Sequence, residues 1–238
     1  MSIPGTDDDP AIRAVAARAL DLVVDGTTIG LGTGRAAAAF IAGLGIRVRG
    51  GLRVRGVPTS EASAAQARTL GIPLVDLEDA GELDLTVDGA DEVAPNLDLI
   101  KGFGNALVRE RIVAAASRRQ VILVGRDKLV AALGARGRIP VEVIPFARAL
   151  VTRRAAALSL KPNLRSDASG GAPIITDNGN VILDCTPPGP LDARAARQLE
   201  AAVLAIPGVV DTGLFLGTAE RVLVGDLNGT VEVLERRP

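Results

Sequence analysis

Asp88, Asp91, Lys101 and Glu110 fall within one segment, DLTVDGADEVAPNLDLIKGFGNALVRERI, residues 84–112, which carries six acidic and three basic side chains on an apolar framework. Acids this close to the end of an apolar strand repel one another and resist burial, so their grouping asks for a chemical reason. Asp88 and Asp91 follow Leu85-Thr86-Val87 and should emerge at the carboxyl end of that strand. In open α/β sheets this is the edge where ligands bind. Lys101 opens Lys-Gly-Phe-Gly, a flexible loop running into a helix N-terminus, where an ammonium and backbone amides could hold an oxyanion.

Glu110 is the most telling of the four. On a helix its neighbours three and four positions away are Ala106, Leu107, Val113 and Ala114, all apolar. The stripe Val108, Ile112 and Ala115 is apolar too, so the helix should be covered on more than one side. A carboxylate there is expected to have its pKa raised by desolvation, which suits a general base near neutral pH. The alternative is a structural glutamate paired with Arg109, Arg111 or a neighbouring strand. With two aspartates and a lysine close by, the functional reading is preferred.

Two other stretches are candidates. In GLGTGRAAAAF, glycines between a strand and a helix let amides approach an anion at the helix N-terminus. A dinucleotide fingerprint would need a third glycine and an acid about 20 residues on. Neither is present, so a nicotinamide cofactor is not expected. A single phosphate suits Gly32, Thr33 and Gly34, with Arg35 as a cationic partner; a tight turn without ligand is the alternative. In PTSEASAAQA, Thr59 or Ser60 is read as a helix cap in preference to a ligand contact.

Composition narrows the chemistry further. The 238 residues contain no histidine and one cysteine, which excludes a Ser-His-Asp triad, His-ligated zinc and a structural zinc cluster. Catalysis must then run on carboxylates, lysine, hydroxyls and backbone amides. A formal net charge of −1 gives no basic excess for nucleic acid. The cluster Arg47, Arg49, Arg53 and Arg55 alternates with Val, Gly and Leu and reads as a strand with one solvated face. No apolar run is long enough to span a membrane. The acidic start, MSIPGTDDDP, lacks the apolar core of a signal peptide, and the lone Cys185 fits a reducing compartment. The expectation is a cytoplasmic protein with no nucleic-acid or membrane partner.

Periodicity supplies the elements that must position these residues. Helices are expected over 10–24, in RAAAAFIAGLG, in EASAAQARTLG and in NALVRERIVAAAS. Strands are expected in TTIGLGTG, RVRGV, IPLVDL, DLTVDG and QVILVG, the last of these apolar throughout, as in a strand buried on both faces. This alternation predicts a Rossmann-like, doubly wound α/β domain over 1–137 plus 217–238. Between them, PVEVIP, FARALVTRRAAALS, APIITDNGNVILDC, LDARAARQLEAAVLAIPG and VVDTGLFLG give the order β-α-β-β-α-β. That predicts a small ferredoxin-like α+β domain over 138–216, with Asn178-Gly179 as a hairpin turn.

The chain resembles the A-type ribose-5-phosphate isomerases from end to end. The matching points are GLGTG, PTSEAS, GIPLVDL, VDGADEV, LIKGFGNALVRERIV, GRDKLVAALG, PVEVIPFA, TDNGNVILDC and IPGVVDTGLF. The spacing of VDGADE, IKG and RE is the specific part. The resemblance implies interconversion of D-ribose 5-phosphate and D-ribulose 5-phosphate through an enediolate, without metal or cofactor, by a homodimer, with a tetramer as the alternative. It implies Glu110 as base, Asp88 and Asp91 in ring opening and proton transfer between sugar oxygens, and Lys101 at the oxyanion. It also places substrate near Thr33, Gly34, Arg35, Ala36, Gly89, Ala90, Gly102, Phe103, Gly104 and Lys128. Three stretches depart from the family. Its Gly-Thr-Gly-Ser-Thr is Gly32-Thr33-Gly34-Arg35-Ala36 here, exchanging two hydroxyl donors for one cation, and its Lys-Gly-Gly-Gly carries Phe103. Ile12 and Arg13 stand where the family tends to have adjacent lysines. The competing readings are a non-catalytic sugar-phosphate sensor and an isomerase with altered phosphosugar preference.

Overall fold

The computed structural model describes residues 9–167 and 171–236. The reading of the chain's acidic start rests mainly on residues 1–8, which lie outside the described residues. In chain order the elements begin with α1 (Pro10–Leu20), β1 (Thr28–Leu31), α2 (Arg35–Arg49), β2 (Arg55–Pro58), α3 (Glu61–Thr69), α4 (Leu77–Ala80) and β3 (Leu85–Gly89). There follow β4 (Glu92–Val93), β5 (Leu99–Ile100), α5 (Leu107–Ala115), β6 (Gln120–Gly125) and β7 (Ile139–Val143). The chain continues with α6 (Arg148–Ala157), β8 (Lys161–Leu164), β9 (Val181–Thr186), α7 (Ala193–Leu204) and β10 (Val209–Thr212). It finishes with β11 (Leu214–Phe215), β12 (Arg221–Gly225) and β13 (Val231–Glu235). The fold is mixed α/β, with a main parallel sheet and a smaller antiparallel one.

Two compact units share these elements: residues 1–90, 109–128 and 218–238 form the first, and 91–108 and 129–217 the second. The first is built on a six-stranded sheet in the order β13-β12-β6-β3-β1-β2, parallel except for β13. From β1 the chain moves to β2 on one side, then returns to β3 on the other. The carboxyl ends of β1 and β3 therefore flank a topological switch point, the place where such sheets open a crevice. The core beneath is apolar: Ile29, Leu31, Phe40, Ile41, Leu44 and Val87 are buried together. β6 is buried over five of its six residues, as its unbroken apolar run requires.

Local chemistry explains the helix limits. Asp9 accepts from the Ala11 amide at 3.0 Å and Pro10 occupies the first turn of α1, which buries Ile12, Val15, Ala16 and Ala19. α1 stops at Leu20 instead of continuing to 24, and the Leu20 carbonyl takes a hydrogen bond from the Arg47 guanidinium at 2.6 Å. The strand expected across Arg47–Arg55 is corrected: α2 runs through Arg49, held by its Ala- and Leu-rich face, and Gly50-Gly51 ends it, with Gly51 at φ +103°. Those arginines serve neighbours. Arg47 pairs with Asp21, Arg49 reaches the Leu70 carbonyl, Arg53 pairs with Asp25 and Arg55 reaches the Thr28 hydroxyl. The strand expected at IPLVDL is likewise reduced to an isolated bridge between Leu74 and Gly56, since Pro73 has no N–H to give a ladder and Leu77 starts α4.

The second unit contains the β-α-β-β-α-β order, β7-α6-β8-β9-α7-β10, as a four-stranded antiparallel sheet ordered β10-β7-β9-β8. Val141, Val143, Val151, Leu183, Val203 and Ile206 form its core. The API segment meets β9 only at an isolated bridge, Ile175 to Val181, and the ladder on that side of β9 is made by β8, Lys161–Leu164. Pro162 is tolerated there because β8 is an edge strand. The API segment contributes only isolated bridges at Pro173 and Ile175. Asn178-Gly179 does form the turn, with Gly179 at φ +77°. The unit also holds a three-stranded sheet, β11-β5-β4. That pairing draws 91–108 into the second unit. The division at 128/129 comes before the expected 137/138, with Val130 donating to the Val93 carbonyl.

Candidate active site

The first unit gathers the glycine turn and the acidic strand end. β1 and β3 pair in parallel, so the turn after Leu31 meets Asp88 directly. A Cβ on Gly32 would stand 2.3 Å from Asp88 Oδ1 and 2.6 Å from its Cα, so only glycine fits. Asp88 is fully buried, and its Oδ1 accepts from the amides of Thr33 at 3.1 Å and Gly89 at 2.7 Å. Two backbone donors on one oxygen hold the orientation of the carboxylate.

Beside it lies a cluster of hydroxyls. Thr33 Oγ1 is 2.7 Å from Thr59 Oγ1 and donates to Ser60 Oγ at 2.8 Å. Ser60 donates to Ser63 Oγ, and Ser63 donates to the Gly32 carbonyl at 2.6 Å. Ser60 also caps α3, accepting from the Ser63 amide at 3.1 Å. The cap reading of Ser60 therefore holds, and the same hydroxyls tie the cap to the turn. Gly34, at φ +101° and ψ −179°, starts α2 without a side-chain cap. The first-turn amides, including those of Arg35 and Ala36, are the orphan donors with which a helix N-terminus meets an anion. Arg35 is largely exposed, with Nη2 3.6 Å from Asp9.

Glu110 lies on α5 and is 3% exposed, on the same helix as buried Val113 and Ala114. The neighbouring Arg109 donates to Glu61 at 2.9 Å. Lys128 ends the short 3-10 turn Arg126–Lys128 after β6, with Nζ 3.9 Å from Asp127. Ala90 closes this part of the first unit at the end of β3.

The second unit gathers the lysine loop. Lys101 follows β5; its amide donates to the Gly213 carbonyl at 2.9 Å, and its side chain is 2% exposed, Nζ lying 5.5 Å from the centre of the Phe215 ring. Gly102 has φ +100°, and Leu107 occupies the space a Cβ would need, at 2.8 Å. The Phe103 amide donates to Asp91 Oδ2 at 2.9 Å. Gly104 follows in the turn closed by the Asn105 amide on the Gly102 carbonyl at 3.2 Å. Phe103, the departure from the family's glycines, has its ring 3.8 Å from the Arg138 guanidinium carbon.

Thus Thr33, Gly34, Asp88 and Gly89 come together in one unit, and Asp91, Lys101, Gly102 and Phe103 in the other. Among the described residues, no group of three or more Cys, Asp or Glu side chains is placed to hold a metal ion. No described helix is long and apolar enough to cross a membrane. Sequence reasoning missed Ser63 and, in the second unit, Arg165 and Asp184. Asp184 had a signal, an acid inside the apolar strand VILDC; Arg165 had none, being 63 residues from the loop it touches.

The family model described as ribose 5-phosphate isomerase A (phosphoriboisomerase A) matches residues 55–229. A ribose-5-phosphate isomerase A from Roseiflexus castenholzii is 50% identical over 229 residues, covering 95% of this chain and 96% of the relative. The solved ribose 5-phosphate isomerase A of Methanocaldococcus jannaschii superposes with a TM-score of 0.89 at 41% identity, covering 96% of this chain and all of that one. A D-ribose-5-phosphate isomerase solved in complex with phospho-erythronic acid gives 0.89 at 37% identity, covering 95% and 98%.

Proposed function

The chain belongs to the ribose 5-phosphate isomerase A family and interconverts ribose 5-phosphate and ribulose 5-phosphate, and we propose that Glu110, Asp88, Asp91 and Lys101 carry the reaction. The hydrogen on C2 of the open-chain aldose is acidified by the C1 carbonyl. Glu110 removes it, and the electron pair forms the C1–C2 double bond of an enediolate, leaving negative charge on O1. Lys101 and the amides of Gly102 and Gly104 stabilise that charge. Asp88 and Asp91 assist ring opening and carry the O2 proton to O1. Glu110 then returns its proton to C1, and the C2 carbonyl forms. Atoms and electrons balance within the substrate, so no external oxidant or reductant is consumed.

The binding groups follow the same reading. The chain binds a phosphosugar. Its phosphate sits at the first turn of α2, against the amides of Gly34, Arg35 and Ala36 and the Thr33 hydroxyl, with Lys128 as a further cation. Gly89 and Ala90 offer backbone contacts beside Asp88. We assign the first unit as the Rossmann-like catalytic domain and the second as the ferredoxin-like small domain. A cytoplasmic homodimer, with a tetramer as the alternative, is also proposed, and light scattering of the purified chain would decide the oligomer.

The observation that carries this reading is the seating of Asp88 at the sheet's switch point, its carboxylate fixed by the Thr33 and Gly89 amides. The test is ketose formation from ribose 5-phosphate by wild type and Glu110→Gln, with and without chelator. Wild-type turnover should be insensitive to chelator, and the variant should lose at least about a hundredfold, as expected for a general base. Equal rates would remove Glu110 as the base. Phosphosugar binding by wild type without turnover would make the chain a sensor.

A further inference from the structure

We propose that Arg165 is a positioning residue for the isomerisation: its guanidinium holds the Gly102–Phe103 peptide in the one orientation that presents the Phe103 amide to Asp91. The inference rests on the reading of Asp91 as a proton carrier. Arg165 follows the edge strand β8, and at 7% exposure it is the one buried arginine among the described residues. One side of its planar fork faces Asp184 on β9, with Nε at 3.0 Å from Oδ2 and Nη2 at 2.5 Å from Oδ1. The remaining nitrogen, Nη1, donates to the Gly102 carbonyl at 2.7 Å and to Asn105 Oδ1 at 2.7 Å. Asp184 thus aims the fork, and the fork grips the loop at both ends of its turn.

The consequence comes from peptide geometry. In a trans peptide the C=O of one residue and the N–H of the next point in opposite directions. With the Gly102 carbonyl turned to Arg165, the Phe103 N–H is turned the other way, where it meets Asp91 Oδ2 at 2.9 Å. Glycine at 102 makes the opposite orientation of this peptide accessible, because it lacks the Cβ that would restrict rotation on either side. Flipped, the peptide would aim its carbonyl oxygen at the Asp91 carboxylate. The loop holds the productive orientation with one backbone bond of its own, the Asn105 amide on the Gly102 carbonyl at 3.2 Å; the Arg165 cation, 2.7 Å from the same oxygen, adds the stronger, charge-assisted one. Arg suits the task better than Lys, because its fixed fork can hold the Asp184 carboxylate with one edge and the loop with the rest. Asn105, at φ +67°, is a non-glycine residue in the left-handed region, and the Arg165 contact to its side chain helps to keep it there.

The test compares Arg165→Met, Arg165→Lys and wild type for kcat, KM and the pH dependence of kcat, with thermal melting as the folding control. Losing a hydrogen bond aimed at a charged group is worth roughly ten- to a hundredfold. Arg165→Met is therefore expected to lower kcat by about that factor while KM changes less than about threefold. The acid limb of kcat should move to higher pH, because a carboxylate deprived of an amide donor becomes easier to protonate. Arg165→Lys, which can still donate to the Gly102 carbonyl, should recover part of kcat and move the limb back. A folded Arg165→Met with wild-type kcat and an unshifted limb overturns the inference. If Arg165→Met does not fold, Arg165→Gln is read in its place, with the same two outcomes. The two readings fail separately. An active Glu110→Gln enzyme would sink the assignment of the base, whereas an inactive Glu110→Gln beside an unaffected Arg165→Met would sink only the role of Arg165.

Discussion

Replacing Gly32 with alanine adds one methyl group at the point where the glycine turn crosses the acidic strand end. The new Cβ would lie 2.3 Å from Asp88 Oδ1, 2.4 Å from its Cγ and 2.6 Å from its Cα. Two of these atoms belong to the side chain, which could swing; the third is backbone in the middle of the parallel sheet and cannot yield without moving β3. Something must shift by several tenths of an ångström. The strain of such overpacking is about 1–3 kcal/mol. The shift also separates Asp88 from the Thr33 amide, a charge-assisted bond of about 1.5–3 kcal/mol. If that second loss falls on the transition state, kcat should drop by roughly ten- to a hundredfold. The first should lower the melting temperature by about 2–12 °C for a chain of this size. Gly26→Ala is the control: at φ +84° with nothing within 4 Å of the added methyl, it costs backbone strain alone and should leave kcat untouched. The assay is ketose formation under saturating ribose 5-phosphate beside a thermal melt of each protein. Gly32→Ala with wild-type kcat would mean that the seating of Asp88 is irrelevant to the chemistry. Equal kcat losses in Gly32→Ala and Gly26→Ala would mean that general destabilisation, not the Asp88 contact, is being read.

Arg35, 65% exposed at the start of α2, should act as a screened surface cation. Arg35→Ser is expected to raise KM for ribose 5-phosphate about two- to fivefold at low ionic strength with kcat unchanged, and the difference should fade near 0.5 M salt; a salt-independent loss would instead indicate a close contact. Cys185 is buried, and burial, with Asp184 adding to it, pushes its thiol from 9.0 up to about 12. The folded value lies above the unfolded one, so its contribution to stability is complete below about pH 9 and is lost as pH rises toward 12, at up to about 1.4 kcal/mol per pH unit. The native protein should resist thiol reagents at pH 8 and react once unfolded in urea; rapid labelling of the native state would contradict the burial.

Much of the site is legible in short stretches of the chain. Glycines between a strand and a helix, acids at the end of an apolar strand and a glutamate on an apolar helix face are local patterns. They are produced by backbone sterics and by periods of two and 3.6 residues, so a single segment carries each one. The β-α-β-β-α-β order is legible for the same reason. The departures are equally local in origin. Arg47 to Arg55 alternates like a strand, but Gly50-Gly51 divides it into a helix end and a strand start. The API segment looks extended, yet β8, with Pro162 in it, takes the place beside β9.

By itself the sequence determined which residue types were available: no histidine, a carboxylate set, one lysine before a flexible loop, and a turn that only glycine can make. Tertiary structure decided which of them touch. The contact of Gly32 with Asp88 depends on β1 and β3 lying side by side, although β2 intervenes in the chain. The hydroxyl chain from Thr33 through Ser60 to Ser63 depends on α3 returning over that turn. Arg165 reaches its loop across 63 residues of sequence, through a strand pairing that places Asp184 behind it. Segment propensities act over a few residues, whereas these contacts follow from strand order and packing, which arise only when the whole apolar surface is buried at once.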